Sequence, residues 1–312
     1  MYTLRQPSKI IFGKNSANNF SYPDNSLLIT SAGSISRGWL DYIGVKNFEI
    51  FDAVEPNPSI DTVNQILTQF KKKFTYVIGL GGGSSLDVAK FVANKINSKK
   101  ILIPTTFGSG SEVTRISVLK VDGKKTSFHD DGLLADLAII DPHFINNTPF
   151  EIIRNSAIDA CAQCTEAFDS IVANDYTRFL CNHAFEILEN SLLSEKYENL
   201  PYGSLISGLG FGNSSTTLGH ALSYVFSNEG ISHGHALAFT TLVAHKFNNS
   251  RFYDRFKQLV IKLDFPDINL YSKLDECAQL IQKDRKHMDN NPKSVTTDEI
   301  IELLKSITDK KF

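Results

Sequence analysis

The first half of the chain alternates short apolar runs with segments of helical periodicity. The apolar runs predict five strands, at 10–13, 27–30, 48–51, 76–80 and 101–103. Helical patterns lie between them, near 36–43, from 59–61 to about 73, and over about 86–97. Strands that alternate with helices in this way are typical of a parallel sheet covered by helices on both faces.

The pattern changes near residue 150. From Phe150 onward most apolar positions recur with the period of a helix, as over 175–193, and few strand candidates remain. Two prolines, Pro142 and Pro149, come just before this change. The sequence therefore predicts an α/β domain over residues 1–149 and an all-α domain over residues 150–312.

The composition narrows the possible partners. Hydrophobic residues make up 42% of the 312 positions and charged residues 21%, which is ordinary for a globular protein. The formal net charge of -2 offers no overall basic field for nucleic acid. The N-terminus lacks an apolar signal core, and no window reaches the roughly 18 apolar residues of a membrane span. We therefore expect a cytoplasmic protein with neither nucleic-acid nor membrane partners.

The four cysteines are too few for a disulfide framework. Cys161 and Cys164 form a CxxC pair, which raises the alternative of a redox or zinc site. They lie within a helical pattern, however, and the chain has no second CxxC. We expect both to be buried as small hydrophobic residues.

Two glycine- and hydroxyl-rich loops are candidates for phosphate binding. Residues 81–85 read Gly-Gly-Gly-Ser-Ser between a strand and a helix, where free N–H groups and the helix dipole favour an anion. Residues 105–112 also follow a strand and read Thr-Thr-Phe-Gly-Ser-Gly-Ser-Glu. Either stretch alone could be a tight structural turn, and neither is a Walker A or a GxGxxG motif. Both are expected at the carboxyl edge of the parallel sheet, where ligands bind in such folds.

The second half carries donors for one divalent metal ion. Asp159 and Gln163 are four residues apart and lie on one helix face, while His220 and His233 come from later segments. A carboxylate with imidazoles favours Fe(II), Zn(II) or a similar first-row ion. The amide of Gln163 is a weaker donor than an imidazole, so this residue is either a ligand or a hydrogen-bond partner of the ligands.

At these positions the chain resembles the iron-containing, or group III, alcohol dehydrogenases. The similarity lies in GGGSSLDVAK at 81–90, PTTFGSGSEVT at 104–114, the three metal donors Asp159, His220 and His233, and Asn-Asn-Pro-Lys at 290–293. It implies a dehydroquinate synthase-like architecture, with a Rossmann-like dinucleotide-binding domain, a helical domain, and a cleft that holds metal and nicotinamide. It also implies NAD(P)-linked interconversion of an alcohol with an aldehyde or ketone, in a homodimer.

The resemblance assigns residues to these roles. Those expected to bind the cofactor are Gly81, Gly82, Gly83, Ser84, Ser85, Asp87, Thr105, Thr106, Ser109 and Lys125. Those expected to bind the metal are Asp159, Gln163, His220 and His233. Gln163 stands where the family usually has a histidine, which makes metal occupancy a question for this chain.

Within the family, residues 218–239 resemble the phosphonoacetaldehyde reductases. Tyr224 stands four residues after His220, where many members have a further histidine, and His235 suits this branch. The implied reaction is reduction of phosphonoacetaldehyde to 2-hydroxyethylphosphonate. The proton donor could be Tyr224, His235, a metal-bound water or a ribose hydroxyl chain, and Arg115, His235 and the hydroxyls of 214–217 are candidates for the anionic group.

The second predicted strand bears on the choice of cofactor. Residues 30–34 carry no carboxylate that would accept the ribose hydroxyls of NAD, and Arg37 follows. We therefore expect NADPH, or use of both NADPH and NADH. Two other functions stay open: a general alcohol or polyol dehydrogenase, and a non-catalytic nucleotide-binding protein with a weakened metal site.

Overall fold

The computed structural model describes residues 1–46 and 48–309. Their contacts divide them into two compact units. One comprises Thr3–Pro149, and the other comprises the chain from Phe150 onward together with Met1–Tyr2.

The first unit is built on a six-stranded parallel sheet, whose strands are β1 Lys9–Phe12, β2 Ser26–Ile29, β3 Glu49–Phe51, β4 Tyr76–Gly81, β5 Lys99–Pro104 and β8 Leu137–Ile140. The strand order in the sheet is β1-β8-β5-β4-β2-β3. A separate antiparallel hairpin pairs β6 Ile116–Val121 with β7 Lys124–His129. The helices are α1 Ala32–Ser36, α2 Trp39–Ile43, α3 Ile60–Gln69 and α4 Gly83–Lys95.

The core of this unit lies between the sheet and its helices. Leu27, Val77 and Leu102 from β2, β4 and β5 pack with Leu86 and Val92 of α4. β2, β5 and β8 are buried along almost their whole length, as expected for parallel strands covered on both faces.

The structure corrects several predicted boundaries. The helix predicted near 36–43 is two short helices, because Gly38 takes the left-handed conformation at φ 71° and interrupts it. α3 ends at Gln69 and not near residue 73. α4 begins at Gly83 and not at Leu86, so most of the glycine–serine stretch forms the first turn of a helix. The hairpin and β8 were not among the predicted strands.

The second unit is entirely helical in the part of the chain that the structure describes. Its helices are α5 Phe150–Asp169, α6 Asp175–Leu193, α7 Leu200–Phe211, α8 Leu218–Asn228, α9 His233–Asn248, α10 Tyr253–Leu263, α11 Leu274–Gln282, α12 Arg285–Met288 and α13 Thr297–Thr308. α5 is the central helix and packs against α6, α7 and α9. Twelve of its residues are buried, including the polar side chains of Asp159, Gln163 and Glu166.

The prediction for the cysteines is confirmed. Cys161, Cys164, Cys181 and Cys277 are all buried free thiols. Burial raises the pKa values of Cys161 and Cys164, so these thiols stay protonated and unreactive. Across residues 1–46 and 48–309, no helix has the length and apolar character needed to cross a membrane.

Candidate active site

Three helices of the second unit bring together the donors of a candidate metal site. Asp159 on α5, His220 on α8 and His233 on α9 offer ligand atoms that all lie within 4.8 Å of one another. His220 Nε2 is 3.9 Å from Asp159 Oδ1, and the two imidazole rings lie 5.5 Å apart at 72° to each other. One carboxylate and two imidazoles at this spacing are a donor set that suits a first-row divalent ion.

A glycine allows α9 to bring His233 to this position. His233 is the first residue of α9, and the next residue, Gly234, lies directly against the backbone carbonyl of Asn155 on α5. A Cβ at Gly234 would collide with that carbonyl oxygen. The close approach of the two backbones therefore depends on glycine at this point.

Gln163 lies one turn after Asp159 and is bonded to it. Its Nε2 donates a hydrogen bond of 2.9 Å to Asp159 Oδ1. Its Oε1 is buried, and no described residue donates to it. An unsatisfied buried acceptor costs about 1–3 kcal/mol, and a neighbouring cation would remove that cost. The residues present therefore fit a metal ion, and Gln163 can serve either as a hydrogen-bond partner of Asp159 or as an additional oxygen donor.

Glu166 is a residue of this site that the sequence reasoning missed. Its buried carboxylate accepts from His220 Nδ1 at 3.1 Å, which leaves Nε2 as the nitrogen available to a metal. Burial opposes ionisation of Glu166, but the attraction of His220 and the donors around it lower its pKa to about 2. Burial also opposes protonation of His220, yet Glu166 raises the pKa of that imidazole above its usual value. Spacing could have revealed Glu166, since it lies seven residues after Asp159 on the same helix face.

His287 on α12 is a second residue that the sequence reasoning missed. Its buried ring is nearly parallel to that of His220, at 6.1 Å, and 5.5 Å from the ring of Tyr224. Its Nδ1 lies 2.6 Å from Asp284 Oδ2, although burial lowers the pKa of the imidazole. No sequence signal linked this histidine to the metal donors, because more than fifty residues separate it from His233.

The residues predicted to donate a proton, or to contact the anionic group of the substrate, lie in different surroundings. Tyr224 lies beside the metal donors, with its ring 6.0 Å from that of His233. His235 follows His233 by two positions and therefore projects from the opposite side of α9, where its Nε2 lies 2.5 Å from the Pro266 carbonyl oxygen. In the hydroxyl run, Thr217 donates to Glu166 at 3.0 Å and Ser214 donates to the Ala167 carbonyl at 3.1 Å.

In the first unit, the two predicted phosphate loops touch each other. β4 and β5 are adjacent and parallel, so the loops that follow them leave the same edge of the sheet. A Cβ at Gly82 would lie 3.0 Å from Thr106 Oγ1, and one at Gly83 would lie 2.8 Å from Ser109 Oγ. Gly81 has φ 151°, and a Cβ there would lie 2.6 Å from Ser85 Oγ. The glycines are therefore what lets the two loops pack together.

These loops fit the phosphate groups of a dinucleotide. The N-cap of α4 is Gly82, which has no side chain to bond the first N–H groups of the helix. Gly83, Ser84 and Ser109 are only half-buried. Thr105 Oγ1 is buried and has no hydrogen-bond partner among the described residues. Free donors at the start of a helix are a suitable environment for an anion.

The remaining residues expected near the cofactor and the substrate are held within the first unit. Asp87 accepts from Ser111 Oγ at 2.6 Å and from Val118 N at 2.9 Å, so it attaches the second loop and β6 to α4. Lys125 lies on β7, opposite Lys120 in the hairpin. Arg115 Nη1 lies 3.0 Å from Asp131 Oδ1, in an ion pair at the surface.

A parallel α/β unit with two loops that suit phosphate groups, followed by a helical unit with candidate metal donors, is the arrangement that the resemblance to a metal-dependent dehydrogenase implies. The family model for iron-containing alcohol dehydrogenase matches residues 7–142, and the model for the C-terminal region of this family matches residues 153–269. The chain belongs to the iron-containing alcohol dehydrogenase family, a family of oxidoreductases.

Individual relatives agree with this assignment. A 4-hydroxybutyrate dehydrogenase of Clostridium kluyveri is 32% identical over 261 residues, covering 72% of this chain and 70% of that protein. Long-chain-alcohol dehydrogenase 1 of Geobacillus thermodenitrificans is 34% identical over 220 residues, covering 61% of this chain and 56% of that protein.

Solved structures share the fold across the whole chain. An iron-containing alcohol dehydrogenase superposes with a TM-score of 0.90 at 23% identity, covering 99% of both chains. A sulfoacetaldehyde reductase from Bifidobacterium kashiwanohense, in complex with NAD+, superposes with a TM-score of 0.87 at 23% identity, again covering 99% of both chains. The predicted fold, a parallel α/β part followed by an all-helical part, is therefore confirmed.

Proposed function

We propose that this protein catalyses the NAD(P)H-linked reduction of a small aldehyde to an alcohol, and the reverse oxidation, at one divalent metal ion. The observation that carries the proposal is the convergence of Asp159, His220 and His233 from three helices within 4.8 Å. Gln163 adds a neutral oxygen beside them. Fe(II) and Zn(II) both suit this donor set.

The chain's own residues have separable roles in this proposal. When bound, the dinucleotide supplies the reducing equivalent and the metal ion supplies Lewis acidity towards the carbonyl oxygen. Asp159 contributes the negative charge that holds the cation. Glu166 keeps His220 in the tautomer whose Nε2 can coordinate. The N–H groups and hydroxyls of the two loops hold the phosphates of the dinucleotide.

Two side chains are our candidates for proton transfer. Tyr224 has its ring beside those of His233 and His287 and carries a hydroxyl that can donate to the carbonyl oxygen. His235 is the second candidate on the resemblance of residues 218–239 to phosphonoacetaldehyde reductases, although it projects from the opposite side of α9 from His233 and its Nε2 lies 2.5 Å from the Pro266 carbonyl oxygen. Tyr224→Phe should lower kcat more than His235→Ala if Tyr224 is the donor, and the opposite order would favour His235.

We propose NADPH as the preferred dinucleotide. Ser31 follows β2, Ser34 lies in α1, neither stretch carries a carboxylate, and Arg37 follows α1 directly. A hydrogen bond of 2.9 Å from Arg37 Nη1 to the Gly33 carbonyl oxygen holds the Arg37 side chain near the end of β2. Side-by-side kcat/KM values with NADPH and NADH test the proposal, and a clear preference for NADH would contradict it.

The finer proposal for the substrate is phosphonoacetaldehyde. Its support is the resemblance of residues 218–239 to phosphonoacetaldehyde reductases, and one 32% identical relative is also named for an anionic substrate, 4-hydroxybutyrate. A dianion forms charge-assisted hydrogen bonds that are roughly twice as strong as neutral ones. The proposed anion contacts are Arg115, His235 and the hydroxyls of 214–217.

The experiment compares kcat/KM for phosphonoacetaldehyde and for an uncharged aldehyde of similar size, at fixed ionic strength. We expect a preference for the anionic aldehyde that falls in Arg115→Ala and in His235→Ala. Arg5→Ala is the matched control, because Arg5 pairs with the same Asp131 as Arg115. Equal specificity for the two aldehydes would favour a general alcohol dehydrogenase. Dinucleotide binding without turnover of either aldehyde would favour a non-catalytic protein.

We also propose a homodimer located in the cytoplasm. The dimer rests on the family resemblance, and the location rests on the four buried free cysteines, which suit a reducing compartment. Light scattering coupled to size-exclusion chromatography measures the mass in solution, and a monomeric mass would contradict the first of these proposals.

A further inference from the structure

One buried carboxylate on α5, that of Glu166, accepts hydrogen bonds from both α8 and α9, the helices that carry the imidazole donors. Glu166 Oε2 accepts from Thr217 N at 2.6 Å, from Thr217 Oγ1 at 3.0 Å and from His220 N at 3.4 Å. Glu166 Oε1 accepts from His220 Nδ1 and from Thr241 Oγ1, both at 3.1 Å. Thr217 and His220 belong to the start of α8, and Thr241 belongs to α9.

Glu166 acts as the cap of α8. The first N–H groups of a helix have no partner within the helix, and the N-cap side chain usually accepts from one of them. Here the Thr217 hydroxyl at the N-cap donates to Glu166 instead, and the carboxylate accepts the free N–H groups of Thr217 and His220. A negative charge at this end also interacts favourably with the helix dipole. The position of the first turn of α8 is therefore tied to a side chain of α5.

Gly219 shows how closely the carboxylate approaches α8. A Cβ at Gly219 would collide with Glu166 Oε1 and would lie 2.8 Å from Thr241 Cα. The glycine is needed because Glu166 and the backbone of α9 occupy the space that a side chain would take. The neighbouring residue, His220, is the one whose ring the carboxylate orients.

We propose that Glu166 is a positioning residue for the metal site, which sets metal affinity by fixing both the place of α8 and the tautomer of His220. Glu166 accepts a hydrogen bond from His220 Nδ1–H, and the proton stays on the imidazole. The lone pair of the ring is then on Nε2, which faces Asp159. The same carboxylate fixes the helix that carries the ring. The part of the inference that concerns metal affinity rests on the function proposed above.

The test compares Glu166→Gln with Asp169→Asn. Asp169 is a mostly buried carboxyl on the same helix, three residues further on, so both variants convert a carboxylate of α5 to an amide. Dissociation constants for Zn(II) and Co(II) are measured by competition with a chelator. We expect Glu166→Gln to weaken metal binding by roughly 10–100-fold, as for other partners of metal-bound histidines. Asp169→Asn should bind as the wild type does. Equal effects of the two variants would overturn the proposal.

A second measurement needs no variant. In the wild-type protein without metal, at a pH where imidazole is neutral, ¹⁵N-resolved NMR of His220 should show the proton on Nδ1. A proton on Nε2 would overturn the inference even if Glu166→Gln fails to fold. If the wild type binds neither Zn(II) nor Co(II), the proposed function is overturned at its metal site, and the tautomer of His220 then decides the inference alone.

Discussion

A single amide oxygen, Gln163 Oε1, bears on how strongly the group of Asp159, His220 and His233 can hold a metal ion. It is a neutral donor in the position where the family usually places an imidazole. It is also buried without a hydrogen-bond donor among the described residues, so it is available to a cation. We therefore expect metal occupancy at the proposed site to depend on Gln163, which differs by one substitution from a stronger ligand.

We predict that Gln163→His tightens metal binding by roughly tenfold or more, the scale by which changes around metal ligands alter affinity. The physical reason is that an imidazole nitrogen is a better donor than an amide oxygen to Fe(II) and Zn(II). Chelator competition measures the change, with Gln163→Ala as the control that removes the donor. An unchanged dissociation constant in Gln163→His would show that residue 163 does not contact the ion.

At the level of loops, packing between the two predicted phosphate loops depends on glycine. Gly83→Ala would place a Cβ 2.8 Å from Ser109 Oγ and 2.9 Å from Ser109 Cβ. Overpacking of this kind costs about 1–3 kcal/mol, so the loops must separate and the binding of the dinucleotide should weaken.

Fluorescence titration with NADPH and NADH measures this effect. The double variant Gly83→Ala/Ser109→Gly removes both clashing atoms, and we expect it to recover part of the lost affinity. Wild-type affinity in the single variant would mean that the dinucleotide does not use the start of α4.

The second loop also predicts a pH dependence of stability. Glu112 lies in the buried turn Ser111–Val113 at the end of this loop, and burial raises its pKa from 4.5 to about 7, although Lys90 acts in the opposite direction. Between these two pH values the folded protein holds a proton that the unfolded chain has released. Stability from this group is therefore present at low pH and is lost as the pH rises towards 7.

We predict that Glu112→Gln is more stable than the wild type at pH 8 and no more stable near pH 4. Chemical denaturation at the two pH values measures the difference. Glu49→Gln on the exposed part of β3 is the control, and it should show no comparable change between the two pH values. A gain for Glu112→Gln that is equal at both pH values would contradict the assigned cause.

For the protein as a whole, each of the two units carries its own proposed binding residues. The first unit has the predicted phosphate loops, and the second has the proposed metal donors. A ligand that binds only the folded state stabilises it by about 2.7 kcal/mol when present at a hundred times its dissociation constant. Metal and dinucleotide should therefore each raise the melting temperature.

We predict that Asp159→Ala abolishes the shift produced by Zn(II) and retains the shift produced by the dinucleotide. The reason is that Asp159 supplies the only formal negative charge among the proposed metal ligands. Differential scanning fluorimetry with each ligand measures both shifts. A Zn(II)-dependent shift that persists in Asp159→Ala would locate the ion elsewhere in the chain.

Much of the architecture could be predicted from local patterns. Apolar runs marked β1 to β5, the change to helical periodicity marked the all-helical half, and the glycine stretch at 81–83 marked the turn between β4 and α4. Asp159 and Gln163 could be placed on one helix face because their spacing of four residues is itself a geometric statement. These features depend on short-range sterics and periodicity, which neighbouring residues are enough to specify.

Other features depend on contacts between residues that are far apart in the chain. The strand order β1-β8-β5-β4-β2-β3, the collision that Gly234 avoids with Asn155, and the stacking of His287 on His220 all arise when separate elements pack. Glu166 is the clearest case. In the sequence its spacing places it on the same helix face as Asp159, but its role comes from the donors that α8 and α9 bring to it. Tertiary packing decides such roles because a buried carboxylate is stable only where the fold supplies its partners.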